Sequence, residues 1–281
     1  MRVLVTGATG RIGSRLVPRL LRAGEDVTVL ARDRDRARPA AQAGAQVVIG
    51  DLLDGARRRE ALADATAVLH LAAAFRGVSP DVADATSRGG ASALARDALD
   101  AGVTRFVFTS TSQVYGPGRG RPVTEADEVQ PPTGAAYPTA KAAAEADLGA
   151  LVAEGLDLRI LRLAFVYGDG DPHLGESLMW AKDWPAHQRL HMVHHADVAC
   201  AVLRALRAPG LNGLTVNIGD DAPATSADLH TLNRQQLPEG AADRQLDDPW
   251  TGILDTRSAR ANLGWRPTYP SVWAALDAGA L

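Results

Sequence analysis

The chain has 281 residues, 46% hydrophobic and 22% charged, an ordinary globular balance that excludes a disordered tail protein. Thirty Lys and Arg stand against 33 Asp and Glu, a formal net charge of −3, which gives no electrostatic reason to expect nucleic acid as a partner. One cysteine, Cys200, excludes an internal disulfide and a cysteine zinc cluster and makes the reducing cytoplasm the expected compartment. The apolar runs are too short for a membrane span, and the first residues do not read as a signal peptide.

In chain order, Val3-Leu4-Val5 reads as a strand, and Ile12–Leu21 as a helix with apolar Ile12, Leu16, Val17, Leu20 and Leu21 on one side. Further strands are predicted at Val27–Leu30, Val47–Ile49, Ala67–Leu69 and Phe106–Phe108. Helical stretches separate them near Arg34–Ala43, Arg57–Ala63 and Ser92–Ala101. Continuously apolar strands suit a parallel sheet covered on both faces. The βαβ alternation implies right-handed crossovers and a doubly wound α/β fold of the Rossmann type. Residues 116–134, rich in Gly and Pro, read as a loop over the carboxyl edge of the sheet. A helix is expected from Ala140 to Glu154 and a strand over Leu158–Leu163. Beyond Gly168 the pattern loosens into helical pieces at Ala196–Leu206, Thr225–Leu232 and Ser258–Leu263. The expected division is a dinucleotide-binding domain over 1–168 and a small C-terminal α/β substrate lobe over 169–281, interleaved with the last strands.

Thr6-Gly7-Ala8-Thr9-Gly10-Arg11-Ile12-Gly13 follows the first strand and opens the first helix. A pyrophosphate needs a tight turn, close backbone approach and a helix N-terminus aimed at it. Glycines at 7, 10 and 13 supply the first two, and unpaired N–H groups with the helix dipole supply the third. At the end of the second strand an acid would favour NAD by binding the ribose 2′-hydroxyl. Arg32 stands there instead, followed by Arg34 and Arg36, and a guanidinium suits a 2′-phosphate. NADP(H) is therefore favoured, with NAD(H) as the alternative. Asp33 and Asp35 interleave with these arginines and support a plain solvated basic turn.

At this point the sequence resembles the extended short-chain dehydrogenase/reductase superfamily, in its NAD(P)-dependent epimerase/dehydratase branch. The resemblance is carried by the glycine turn, Gly50-Asp51-Leu52, His70-Leu71-Ala72-Ala73 and Phe108-Thr109-Ser110-Thr111-Ser112-Gln113-Val114-Tyr115-Gly116. It continues through Tyr137-Pro138-Thr139-Ala140-Lys141, Leu161-Arg162, Val166-Tyr167-Gly168, His194-His195-Ala196-Asp197-Val198-Ala199 and Leu263-Gly264-Trp265-Arg266-Pro267. The resemblance implies that Gly7, Thr9, Gly10, Arg11, Ile12 and Gly13 hold the cofactor with Arg32. It implies that Asp51 accepts from the adenine amino group beside Leu52, and that Ala72 and Ala73 line the cofactor passage. Thr111 would bond the substrate oxygen, Tyr137 would be the general acid/base, and Lys141 would be its partner and reach the nicotinamide ribose.

The chemistry of those residues agrees. Hydride transfer to a carbonyl builds an alkoxide that must be protonated, and a tyrosine does so best when its pKa falls from about 10 toward neutrality. A lysine four residues on shares the helix face, so its ammonium could stabilise the phenolate.

Four departures bear on the substrate. The Asp-Glu pair usual in the dehydratases is Ser112-Gln113, which does not titrate near neutrality. The Asn that nucleotide-sugar enzymes of the family place three residues after the strand arginine is Phe165. The stretch between Gly168 and the His-His-Ala-Asp element is short, with Leu190 where an arginine is usual and Arg189 beside it. Ser87 stands where the family often has Asn. A substrate site with Phe75, Ser112 and Phe165, near Met179, Trp180 and Trp184, fits an apolar or aromatic ketone better than a nucleotide sugar. The expected function is thus an NAD(P)H-dependent ketoreductase. The alternatives are a nucleotide-sugar epimerase or 4-ketoreductase, and a dinucleotide-sensing protein without turnover. No metal is expected: His191 and His195 are four apart and could share a helix face, but no acid follows at metalloprotease spacing. His194 or His195 is expected to line the pocket, and Asp197 to cap a helix or lie in its first turn. A homodimer or a monomer is expected.

Overall fold

The computed structural model describes residues 1–75 and 77–281. Seven parallel strands form the central sheet: β1 (Arg2–Thr6), β2 (Asp26–Ala31), β3 (Gln46–Ile49), β4 (Ala67–His70), β5 (Arg105–Thr111), β6 (Asp157–Leu163) and β10 (Leu214–Ile218), in the order β10-β6-β5-β4-β1-β2-β3. Two further two-stranded sheets pair β7 (Phe165–Tyr167) with β9 (Met192–His194), and β8 (Arg189–Leu190) with β11 (Ala224–Thr225).

The period-2 geometry of a strand explains the two cores. Val3, Val5, Val27, Val29, Leu69, Val107 and Leu161 point to one face, where they meet α1 (Arg11–Arg22), α2 (Arg34–Gln42), α9 (His195–Arg207) and α11 (Arg257–Leu263). Leu4, Leu30, Val68, Phe106, Phe108 and Ile160 point to the other, against α3 (Gly55–Leu62), α5 (Gly90–Asp100) and α6 (Ala136–Ala150). A sheet apolar on both faces must be covered on both faces, which is the doubly wound arrangement. The direction of winding reverses between β1 and β4, and the carboxyl ends of those strands open a crevice there.

Helix α6 begins at Ala136, four residues before the expected start. Pro138 lies in its first turn, where the missing N–H would have had no helical acceptor, so the proline does not delay the helix. Tyr137 is thereby helical, with Lys141 one turn later. Helix α5 follows a short helix α4 (Pro80–Ala83) and a π-helical turn over Asp84–Gly89. After Gly168 come α7 (His173–Glu176) and α8 (Leu178–Ala181), single turns against the sheet edge. Later come α10 (Ser226–Leu232), whose Thr225 and Asp228 form a reciprocal capping box, and α12 (Val272–Asp277). Among the described residues no helix is long and apolar enough to cross a membrane.

Candidate active site

The glycine turn follows β1 directly. Gly7 has φ +74°, and a Cβ there would run into the backbone of Leu71 and Ala72, so the turn lies flat against the chain leaving β4. A Cβ on Gly13 would strike Gly7 O and Ala8. Helix α1 follows Gly10, its N-cap, with no side-chain cap. Its first N–H groups point into the crevice and suit an anion. This close-packed, uncapped turn fits a dinucleotide pyrophosphate. Arg32 is exposed past the end of β2. Arg36 donates through Nη2 to Thr9 O at 3.2 Å, which adds a second guanidinium beside the turn. Asp33 caps α2 by accepting from the backbone of Asp35 and Arg36. Asp51 is exposed and accepts from Leu53 N at 2.8 Å, and Leu52 is buried.

A cavity of about 770 Å³ extends from this turn. It brings together Gly7, Gly10, Arg11, Ile12, Gly13, Ala73, Phe75, Thr111, Ser112, Tyr137, Lys141 and Phe165 among the residues singled out in the sequence. Thr9, Arg32, Asp51, Leu52 and Ala72 lie outside its lining.

Thr111 ends β5, and its hydroxyl oxygen accepts from Gln113 N at 3.3 Å. Its hydroxyl is also hydrogen-bonded with the Tyr137 phenol. Burial pushes the Tyr137 phenol up to about 12 against that hydrogen bond. The expected lowering of the phenol by Lys141 is not found. The buried Lys141 ammonium donates to Thr109 O at 2.8 Å and lies 4.3 Å over the Phe108 ring, so it is committed to the sheet edge. Its own pKa is brought down to about 7 by burial, with the Glu145 carboxylate opposing. Beneath it His70 is buried, its Nδ1 2.7 Å from Thr6 Oγ1. Burial and the Lys141 charge hold its pKa well below the ordinary imidazole value.

One wall of the cavity is aromatic. The Phe75 ring meets Tyr137 edge-on at 4.8 Å and His173 at 6.3 Å. Phe165 stacks on His173 at 3.8 Å, and Trp180 meets Phe165 edge-on at 6.1 Å. Trp184 and Leu190 complete it. His173 also lines the cavity; its Nδ1 lies 2.9 Å from Val166 O, which holds the ring against Phe165. Met179, grouped with these residues on sequence proximity, is exposed instead. Arg189 turns away from the cavity, donates to Pro249 O at 2.6 Å and stacks over Trp250. Among the described lining residues, Arg11 and Lys141 are the basic side chains other than histidine.

The other histidines are placed differently from expectation. His191, not His194 or His195, lines the cavity. It precedes β9 while His195 opens α9, so the two do not share a helix face. His191 Nδ1 accepts from Leu254 N at 3.0 Å, and Nε2 donates to Asp220 O at 2.9 Å. His194 caps α9 by accepting from Ala196 N. Asp197 lies in the first turn of α9, yet its carboxylate accepts from Thr268 N and Tyr269 N instead of capping that helix. Ser87, buried in the π-helical turn, accepts from Ala74 N at 3.0 Å and fixes the chain that leaves β4.

Sequence reasoning missed the group behind Lys141. Glu145 and Arg162 form a buried two-pronged ion pair, 2.6 Å at its shortest, and Arg162 donates to Tyr115 Oη at 2.8 Å. Tyr115 donates to Asn217 Oδ1 at 2.7 Å. Strands β6 and β10, the turn after β5 and α6 are thus tied together behind the site. The signal was available: Glu145 stands one turn after Lys141, and Arg162 lies inside a predicted strand.

The model of the NAD dependent epimerase/dehydratase family matches residues 3–219. The chain belongs to that family. This member is 29% identical to a UDP-glucose 4-epimerase of Streptomyces lividans, covering 99% of this chain and 94% of the relative. It is 31% identical to a 4-hydroxy-2-methyl-3-oxo-4-farnesyl-3,4-dihydroquinoline-1-oxide ketoreductase of Stigmatella aurantiaca, covering 83% and 72%. A solved short-chain dehydrogenase/reductase superfamily protein of Agrobacterium tumefaciens with bound NAD superposes with TM-score 0.81 at 25% identity, covering 99% and 95%. Family and fold therefore place this epimerase/dehydratase member among the nicotinamide-dinucleotide enzymes of the superfamily.

Proposed function

We propose that this chain is a ketoreductase that transfers hydride from a reduced nicotinamide dinucleotide, with NADPH preferred, to the carbonyl of an apolar or aromatic ketone. The observation that carries the reading is the aromatic wall of Phe75, His173, Phe165 and Trp180 running from the Tyr137 ring. Flat rings pack well on such a surface. The ketone named in the Stigmatella aurantiaca relative agrees with that wall. When bound, the reduced nicotinamide supplies the hydride. Thr111 and Tyr137 hold the carbonyl oxygen between two hydroxyls, and Tyr137 gives its proton to the oxygen as negative charge builds there. A phenol held near 12 is fully protonated at neutral pH, as a proton donor must be. Lys141, one helical turn on, donates to Thr109 O and does not bond the phenol.

A UDP-glucose 4-epimerase is the second reading, favoured by the Streptomyces lividans relative. It needs a diphosphate site, and Phe165 with Leu190 supplies neither a donor nor a charge there. The test is Tyr137→Phe assayed with NADPH against a panel of aryl ketones and UDP-sugars. The expected result is NADPH oxidation by an aryl ketone in the wild type, reduced about 10²–10⁴-fold in Tyr137→Phe with cofactor binding kept. Full activity in the variant, or interconversion of a UDP-sugar with no turnover of any ketone, overturns the reading.

A further inference from the structure

Helix α1 presents Arg11, Arg15 and Arg19 at a spacing of four, on one face. The segment that leaves β7 presents Asp169, Asp171 and Glu176 to that face. Arg19 Nη2 pairs with Asp169 at 2.8 Å, and Arg15 Nε donates to Asp169 O at 3.1 Å, with Nη1 3.9 Å from Asp171. At the top, Arg11 donates through Nη1 to Asp171 at 3.3 Å and through Nη2 to Glu176 at 2.6 Å. Asp171 is itself buried and fixed, accepting from His173 N at 3.0 Å and lying 2.8 Å from His195 Nε2.

The top rung differs from the others in position. Arg11 is part of the glycine turn, and both Arg11 and Asp171 line the cavity. The bond between them therefore joins the cofactor wall to the wall that carries His173 and Trp180. A ligand whose pyrophosphate sits on the turn would lie next to this bridge.

We infer that Arg11 is a positioning residue, a clasp to Asp171 and Glu176 that closes over the bound dinucleotide and sets how fast it exchanges. This rests on the dinucleotide reading of the turn and deepens it. Each reduction consumes one dinucleotide, so the clasp must open once per turnover, and steps of this kind set many turnover rates. The pair is partly exposed, with the Arg11 side chain 40% and that of Glu176 29% accessible, so salt should loosen it.

The alternative is simple attraction between Arg11 and the pyrophosphate. Glu176→Gln separates the two. Removing a negative charge beside an anion site would slow release by electrostatics alone, whereas loss of the clasp speeds it. The experiment measures release of NADPH and of NADH by stopped-flow fluorescence for the wild type, Arg11→Met, Glu176→Gln and Arg19→Gln, at low and high salt. Arg19→Gln breaks a lower rung away from the turn. The expected result is at least fivefold faster release in Arg11→Met and in Glu176→Gln, a wild type that approaches them in high salt, and an unchanged rate in Arg19→Gln even if its thermal midpoint falls. Slower or unchanged release in Glu176→Gln overturns the clasp. So does a rate in Arg19→Gln as fast as in Arg11→Met. Binding of neither dinucleotide to the wild type would overturn the reading of the turn together with the clasp.

Discussion

Lys141 shows how one buried charge can be both a strain on the fold and a tool of the site. The residue is 1% exposed, and its ammonium donates to one carbonyl and sits over an aromatic ring. Such a contact compensates only part of the lost hydration. Burial, opposed by Glu145, brings the pKa from the usual 10.5 to about 7. Between those values the unfolded chain holds a proton that the folded chain has released, so stability rises with pH across that window. Below about 7 both states are protonated, and the full cost of burial is present. Lys141→Met fills a similar volume without the charge. In the cofactor-free protein it should raise unfolding free energy by a few kcal/mol at pH 6, since each unit of depression is worth about 1.4 kcal/mol. The gain should shrink toward pH 9. Urea melts at the two pH values check the sign, and a gain that grows with pH would contradict it. The same variant should lose activity. That places Lys141 among residues kept for function at a cost in stability.

At the scale of elements, the site depends on how α6 is anchored to β5 and β6. Helix α6 is alanine-rich and starts without a side-chain cap, so little of its position comes from its own ends. The Glu145–Arg162 pair fixes it to β6, and Tyr115 with Asn217 extends the tie to β10. Removing one partner leaves the other charge buried and unpaired, which costs about 3–5 kcal/mol, whereas replacing both can be nearly neutral. Glu145→Leu should therefore destabilise by several kcal/mol, and Glu145→Leu with Arg162→Met should recover most of that loss in denaturant melts. A double variant as unstable as the sum of the singles would mean that the two charges are not coupled, against the ion pair as the tie. The elements were largely legible in sequence, because short continuous apolar runs and glycine-broken helices are local signals. The turn at Gly7–Gly13 and the helical spacing of Tyr137 and Lys141 were legible for the same reason. The partnership between Lys141 and the phenol was misread. Spacing fixes which face a side chain leaves from, but the carbonyl of Thr109, 32 residues away in sequence, decides where the ammonium stops. His173 was missed as a lining residue because only tertiary packing stacks it on Phe165.

At the scale of the whole molecule, two cores bury opposite faces of one sheet, and the crevice lies where the winding reverses. A ligand there bridges the turn after β1 and the chain leaving β4. Whatever binds only the folded state adds RT ln(1 + [L]/Kd) to stability, about 2.7 kcal/mol at a hundredfold excess over Kd. The rim at the end of β2 should decide which dinucleotide gains more. Arg32 is exposed there, Arg36 already leans on Thr9 O, and no acid stands where a 2′-hydroxyl would need one. A 2′-phosphate offers these guanidinium groups a charged, multidentate acceptor, and a hydroxyl does not. A tenfold preference is about 1.4 kcal/mol, roughly 3–6 °C in midpoint for a chain approaching this size. NADPH should therefore raise the thermal midpoint more than NADH at equal concentration. Arg32→Glu places a carboxylate at the rim, where it repels a phosphate and accepts from a hydroxyl. It should abolish the advantage of NADPH and reverse the order. Equal shifts by both dinucleotides in the wild type, or an order untouched by the substitution, would show that the basic turn is only a solvated surface, as Asp33 and Asp35 within it would allow.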